Sequence, residues 1–528
     1  MVPKHPDGGT QESCRTQSFA WLVRLTQAMF LLTGLVGLDG PFVSAHNERQ
    51  NQTFDVARYV FRAGWEGVVV PKASFSLPGY ETQRFTAVPQ EFPVHGLFGW
   101  PVALLSGRQR AAVRLVSIAF ALLSIQLVFW VLRWWNGPGV GAAGACLWAG
   151  APLVLHLGQV PMPDIVCTCA MLASFWFALQ GRSPASSLTF AFALLAKVSV
   201  IPFGLPILVA LLTAEGCHSK GRYLRRSILW GIFPTLTLAC WILSTAALSP
   251  ASPWTLAEIA GRQNASPHWY SLKLWAMILG CLFPFGLGII GALGLAFARQ
   301  AFRRLNPWVL GAVLFSNGFY FLTIVKKITE FQYLLPSLFW LLLIAAFGFR
   351  ELRARWQQGA AWRAGLGLAL AAHLLVTVIF TLDLKASRVP ALADLQAAAG
   401  MIPPDARVIV FYRFYGASAA VWLDRNVLAM ANLQQFQTGL PRLQALGFNY
   451  VLLFDVENRR LLTRVGSPAF RNWFSLLRTA APPEAVQTRY ADPASPARQF
   501  CDGNFSRLFE KSNLVLYALP SAPGADPK

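Results

Sequence analysis

Three features of the sequence predict an α-helical polytopic membrane protein of about eleven transmembrane helices with a C-terminal soluble α/β domain. Apolar residues make up 55% of the chain and charged residues 13%, with a mean hydropathy of +0.45, where a soluble domain carries roughly 25% charged residues. Apolar stretches of spanning length recur from residue 19 to residue 382. Beyond Leu382 the texture changes, and the short β-branched and aromatic runs Val408 to Tyr412 and Tyr450 to Phe454 flank a helix-like stretch from Leu433 to Leu446. The net charge of +21 does not indicate a nucleic-acid partner, because the basic residues lie largely in short clusters between apolar segments.

In chain order, residues 1–17 mix Gly, Pro, Ser and charges, which predicts a disordered cytoplasmic N-terminus. Phe19 to Leu38 is long enough to span a bilayer and has no clear small-residue cleavage site, so it reads as an uncleaved first helix. A polar outer loop, 39–95, follows. Further spans fall near 111–135, 140–157, 164–180, 185–196, 198–214, 226–248, 271–297, 306–325, 330–349 and 363–382. With the N-terminus in the cytoplasm, the inner connections carry Arg133, Arg182, Lys220 to Arg226, Arg299 to Arg304 and Arg350 to Arg363, as the positive-inside rule requires. Lys326-Lys327 is the exception. The division is therefore 1–17, a membrane module over 18–385 and an extracytoplasmic α/β domain over 386–528, in a multi-pass protein expected in a bacterial inner membrane.

The first outer loop is unusual. It opens with His46-Asn47-Glu48-Arg49-Gln50, closes with Glu91-Phe92-Pro93, and carries both charge signs over nearly fifty residues, where most connections are short. The same topology brings other ionisable groups to the outer side: Asp164 after Gly158-Gln159-Val160-Pro161-Met162-Pro163, Lys197 in the turn after the fifth span, and His268 and Tyr270. Ionisable groups at membrane depth are expensive, so a set of them at one face marks a candidate site. Each has a plainer reading: Asp164 and Glu91 as helix caps, Lys197 as an interfacial lysine reaching water, His46 and His268 as structural polar groups. Five cysteines, Cys146, Cys167, Cys169, Cys240 and Cys281, fall in apolar segments, and no spacing suggests a disulfide framework or metal cluster.

Over residues 19–350 the ordering resembles the GT-C glycosyltransferases, in the group of protein O-mannosyltransferases and the lipid A aminoarabinose transferase. The resemblance rests on the first loop ending in Glu91-Phe92-Pro93, Gly158 to Asp164, Leu194-Leu195-Ala196-Lys197, His268-Trp269-Tyr270 and Gln332-Tyr333-Leu334-Leu335-Pro336. A bacterial subgroup is similar through His46, Arg49, Gln50, Thr53, Ala57 and Arg58. It implies an inverting enzyme with a polyprenyl-phosphate sugar donor and a lipid, protein or glycan acceptor. On that implication Lys197, helped by Arg58 or Arg49, meets the donor phosphate, His46, Glu91, His268 and Tyr270 contribute to binding, and an acid of the first loop is the base.

The chain departs from the commoner pattern where Arg49-Gln50 stands in place of an Asp-Glu pair. Glu48 then becomes the favoured base, with Asp55 the alternative and Asp164 a substrate-positioning acid. By ligand type Glu91 with Glu258 or His268 would suit a divalent metal, although no cofactor is required by the pattern. A flippase of a lipid-linked sugar is the competing reading, disfavoured by clean apolar spans and the lack of a repeat; a non-catalytic envelope scaffold is the third.

Overall fold

A computed structural model of the chain describes residues 10–42, 47–76, 86–87, 92–214, 220–248, 279, 282–324, 331–386, 392–411, 417–430, 432–454, 490–511 and 514–520. The elements run α1 (Thr10–Leu35), α2 (Asn47–Ala63), α3 (Trp65–Val69), β1 (Lys72–Ala73), β2 (Phe75–Ser76), β3 (Thr86–Ala87), α4 (Val94–Ser106), α5 (Gln109–Asn136), α6 (Pro138–Gly150), α7 (Pro152–Leu157), α8 (Pro163–Leu179) and α9 (Ser183–Ala196). A 3-10 helix, Val198–Phe203, leads into α10 (Gly204–Thr213) and α11 (Lys220–Leu248); a π-helical turn, Phe283–Leu287, precedes α12 (Gly288–Ala296), α13 (Ala301–Arg304), α14 (Pro307–Ile324), α15 (Leu335–Gln358) and α16 (Ala360–Ala386). The tail holds α17 (Leu392–Gly400), β4 (Arg407–Phe411), α18 (Ala417–Leu423), β5 (Asn426–Met430), α19 (Leu433–Ala445), β6 (Phe448–Phe454), α20 (Pro496–Asn504), β7 (Ser506–Lys511) and β8 (Leu514–Ala518). The chain divides into a helical unit, Met1–Gly40, Ala111–Ser244 and Gln263–Leu382, and a mixed unit, Pro41–Arg110, Thr245–Arg262 and Asp383–Lys528.

In the helical unit α8 is central and buries nearly every side chain from Pro163 to Leu179. It packs on α9, α10 and α15. At the periphery α1, α11 and α16 expose Leu25, Met29, Leu32, Leu236, Leu368 and Leu375, the apolar outer surface of a membrane-embedded bundle. Five described helices are long and apolar enough to cross a membrane, and shorter apolar helices such as α8 and α9 accompany them. The expected span 271–297 lies partly outside the described residues.

Proline sets the helix starts. Pro138, Pro152, Pro163, Pro184 and Pro336 each stand in the first turn of their helices, where the missing N–H would have no partner. This corrects one expectation: the single span 140–157 is two helices, α6 and α7. Ala151, forced toward extended backbone (φ −65°, ψ 123°) by the following Pro152, breaks it. Tight packing elsewhere depends on glycine: a Cβ on Gly348 of α15 would lie 1.9 Å from the Gly294 carbonyl oxygen of α12. Helix α1 begins at Thr10, within the stretch read as a disordered N-terminus; extending an existing helix is far easier than nucleating one.

The mixed unit groups the first outer loop with the tail. Its six-stranded sheet has the order β2-β5-β4-β6-β8-β7, with β2 through β6 parallel and β8 and β7 antiparallel. Thus the first loop supplies an edge strand to the tail, and Val427 N–H donates to the Ser74 carbonyl at 2.9 Å. A core of Ile409, Phe411, Leu428, Phe436, Val451, Leu453, Val515 and Tyr517 lies on one face. Asn432 caps α19 by accepting the Gln435 N–H at 3.2 Å. At the opposite edge β7 carries Arg507, Glu510 and Lys511, and charges of this kind discourage pairing with another chain.

The loop is fastened to the tail by α2, which packs on α4 and α18. Asn51, within a sequon, is fully buried and donates to the Phe42 carbonyl at 3.1 Å and the Ser418 hydroxyl at 3.0 Å. It therefore serves packing, not modification. Asp55 accepts from Arg58 Nη2 at 2.7 Å, from Ser74 N at 2.5 Å and from Ser74 Oγ at 2.7 Å. Arg58 also pairs with Asp424, a turn residue at φ 54° just before β5. Helix α4 had no counterpart in the sequence reading; it is apolar, and at 13 residues it is too short to cross a bilayer.

Two outcomes follow from this unit. Asp55→Ala leaves the Ser74 N–H and one Arg58 bond without partners, and should lower stability by about 3 kcal/mol. Limited proteolysis should then cut loop and tail together; cutting confined to the loop would show that the two do not fold as one. His95, buried in α4, is pushed down to about 3 from 6.5 by burial and then by the Arg49 charge. Its folded value lies below its unfolded value, so its contribution to stability is complete above pH 6.5 and is lost progressively as pH falls toward about 3. Melting scans of His95→Gln against wild type should diverge in that window, and parallel curves would refute the assignment.

Candidate active site

Two helix junctions build the polar centre of the helical unit. Met162, in extended backbone, turns the chain into α8, and Pro163 opens the helix so that Asp164 lies in its first turn. Between α9 and the 3-10 helix, Lys197 is extended (φ −162°, ψ 113°), which takes it out of the helical path while its N–H still bonds the Ala193 carbonyl at 2.9 Å. These junctions, 33 residues apart in sequence, bring Lys197 Nζ to 2.6 Å from Asp164 Oδ1. The ammonium also sits 4.0 Å from the centroid of the Tyr333 ring, a cation–π contact strengthened by desolvation. Tyr320 donates its hydroxyl to the Tyr333 carbonyl at 2.6 Å and holds that residue in place. Phe203, Tyr320, Phe175 and Trp340 form a continuous aromatic wall behind it.

Burial defines the chemistry. Asp164 is 1% exposed and Lys197 6%. Asp164 Oδ2 has no hydrogen-bond partner among the described residues. A buried ion pair gives little net stability after desolvation. This one keeps a carboxylate oxygen open among the described residues.

The other expected residues fall differently. Asp55 accepts from the Ser74 N–H and hydroxyl and from the Arg58 guanidinium. Arg58 is buried and is shared by Asp55 and Asp424. Its strong i,i+3 partner was visible in the sequence; Asp424, 366 residues away, was not. Arg49 donates to Gln52 Oε1 at 2.6 Å. Glu48 lies in α2, but its side chain is outside the described residues, as are His46, Glu91, Glu258, His268, Tyr270 and Lys326-Lys327. Among the described residues no group of three or more His, Cys, Asp or Glu side chains could hold a metal ion. Sequence reasoning quoted Tyr333 in a motif without giving it a role and passed over Tyr320; the aromatic in Gln332-Tyr333-Leu334 was the available signal.

The pair should behave as a unit. Lys197→Met alone leaves a buried carboxylate uncompensated and should destabilise by about 3–5 kcal/mol. The double variant Asp164→Asn/Lys197→Met should recover most of that loss in thermal melts; an additive double variant would show that the two side chains are energetically independent.

Residues 88–254 match the family model described as dolichyl-phosphate-mannose-protein mannosyltransferase. No curated protein matches the sequence. Among solved structures the chain is similar to ArnT from Cupriavidus metallidurans bound to undecaprenyl phosphate, at 14% identity and a TM-score of 0.62, with 96% of this chain and 99% of that chain covered. It is also similar to the oligosaccharyltransferase AglB from Archaeoglobus fulgidus in complex with an inhibitory peptide and a dolichol-phosphate, at 10% identity and a TM-score of 0.53, covering 82% and 69%. A structure of the A. fulgidus oligosaccharyltransferase in complex with Zn and sulfate matches at 9% identity and a TM-score of 0.53, covering 94% and 74%. The chain therefore has the GT-C fold, and its residues 88–254 carry the sequence pattern of that mannosyltransferase family.

Proposed function

We propose that this protein is an inverting membrane glycosyltransferase that moves a sugar from a polyprenyl-phosphate-linked donor to a lipid, protein or glycan acceptor at the outer face of a bacterial inner membrane, with its C-terminal domain on the same side. The observation that carries this reading is the buried Lys197–Asp164 pair beneath Tyr333, at a helix junction of a GT-C fold. Support for the donor class comes from the undecaprenyl phosphate and dolichol-phosphate bound to the similar structures. The basic clusters between spans support the orientation.

In this mechanism the polyprenyl tail stays in the bilayer and brings the phosphate to the protein. As the bond between anomeric carbon and phosphate oxygen breaks, negative charge grows on the phosphate, and Lys197 is the cation assigned here to stabilise it. The aromatic wall of Phe203, Tyr320 and Trp340 keeps the surroundings apolar, which strengthens that interaction. The acceptor hydroxyl loses its proton to a carboxylate, for which Glu48 and Asp164 are the candidates. Asp55 and Arg58 act structurally, holding α2 to the sheet.

The test is turnover by the purified protein in lipid nanodiscs supplied with undecaprenyl-phosphate-linked mannose, glucose, galactose and aminoarabinose. Transfer or slow donor hydrolysis is expected with at least one, falling by about 10²–10³ in Lys197→Ala. Donor binding without turnover, indifferent to Lys197→Ala, would overturn the reading in favour of lipid transport.

A further inference from the structure

We infer that α3 and α4, which lead from the first outer loop into α5, form a seat on the outer leaflet of the bilayer, with one face of α4 immersed among the headgroups and upper acyl chains. Both faces of α4 are largely apolar, and they meet different surroundings. One is packed: His95, Gly96, Gly99 and Ala103 are buried, and Gly96 lies so close to α2 that a Cβ there would be 2.8 Å from the Val60 Cβ. The opposite face presents Phe98, Pro101, Leu104 and Leu105, with Leu104 68% and Leu105 91% exposed. On a helix covering a water-soluble core that outward face would be polar. An apolar one belongs to a helix lying in a lipid interface.

Neighbouring residues extend this face and identify its occupant. Helix α3 adds the exposed Trp65 and Val69, and the Trp65 ring stands edge-on to Trp100 of α4 with 6.3 Å between centroids. Tryptophan favours the boundary between headgroups and acyl chains. Gly107, in left-handed backbone (φ 67°), ends α4, and only Arg108 separates it from α5, a helix long and apolar enough to cross the membrane. The apolar face is thus tethered to a span, and Arg108 and Arg110 follow it directly with charge that suits an anionic leaflet. The consequence for α2 rests on the glycosyl transfer and orientation proposed above. Helix α4 packs on α2, which includes Glu48, a candidate base. The depth of α4 in the leaflet therefore sets the height of α2 above the bilayer, from which a polyprenyl-phosphate donor presents its sugar.

Two measurements test the seat, each with folding checked by thermal melting. Photoreactive benzoylphenylalanine in place of Leu105, in the intact chain reconstituted into vesicles of phosphatidylethanolamine and phosphatidylglycerol, should form phospholipid adducts about tenfold more often than the same group in place of the exposed Gln437 of α19. Crosslinking to a second copy instead would make the face a dimer interface, and neither product would mean that it faces water; both results overturn the seat. In the second measurement Leu104→Glu/Leu105→Glu should raise KM for the undecaprenyl-phosphate-linked sugar that wild type turns over fastest by about tenfold in vesicles. For the same sugar on geranyl phosphate in detergent micelles, where no leaflet sets the depth of α4, KM should stay within about twofold of wild type. An equal rise with both donors would place the damage in the protein, and no rise with either would deny α4 a part in transfer; each overturns the role given to the seat. Absence of any turnover by wild type overturns the glycosyl transfer and leaves the lipid adducts standing, which separates the two failures.

Discussion

An ammonium and a carboxylate can share the apolar interior of the helical unit only as partners, and the placement of Lys197 and Asp164 follows from that constraint. Their pairing requires two helices to be interrupted at the same place. Pro163 starts α8 one residue before Asp164, and the chain leaves the helical path at Lys197 before resuming as a 3-10 turn. Without those interruptions both side chains would belong to regular helix faces among apolar neighbours. The aromatic residues around the pair then act electrostatically as well as sterically, since the Tyr333 ring faces the ammonium and Tyr320 fixes Tyr333 through its carbonyl.

The mixed unit solves a different problem. A long polar loop between membrane helices loses considerable conformational entropy when ordered, and this one is ordered by becoming part of another fold. Strand β2 extends the parallel sheet beside β5, while Asp55 ties α2 to the turn before β2. Arg58 completes the connection from the other direction through Asp424, which leaves α18 in a left-handed backbone conformation to reach it. The tail is therefore the structural support of the first loop.

Such an arrangement separates charged residues that support from those available for chemistry. Asp55 and Arg58 look catalytic by type and position, and both are held in several hydrogen bonds, Asp55 to Ser74 and Arg58, and Arg58 to Asp55, Ser74 and Asp424. Asp164, which also suited a helix cap, keeps one oxygen open among the described residues. The number of satisfied hydrogen bonds is what distinguishes them.

Local chemistry along the chain determined the apolar helices, most of their starts and the α/β character of the tail, because each depends on nearby residues: runs of apolar side chains, prolines in first turns, alternating β-branched runs. The candidate pair was legible as two costly ions in apolar surroundings, though not as a pair. Tertiary structure alone joined Asp164 to Lys197 across 33 residues, Arg58 to Asp424 across 366, and the loop strand to β5. Pairings of this kind depend on which surfaces meet after the chain collapses, and a two-residue strand such as Phe75–Ser76 carries no periodicity from which to read them. The break at Ala151 belongs to the local side: Pro152, present in the sequence, pushes Ala151 toward extended backbone and ends α6.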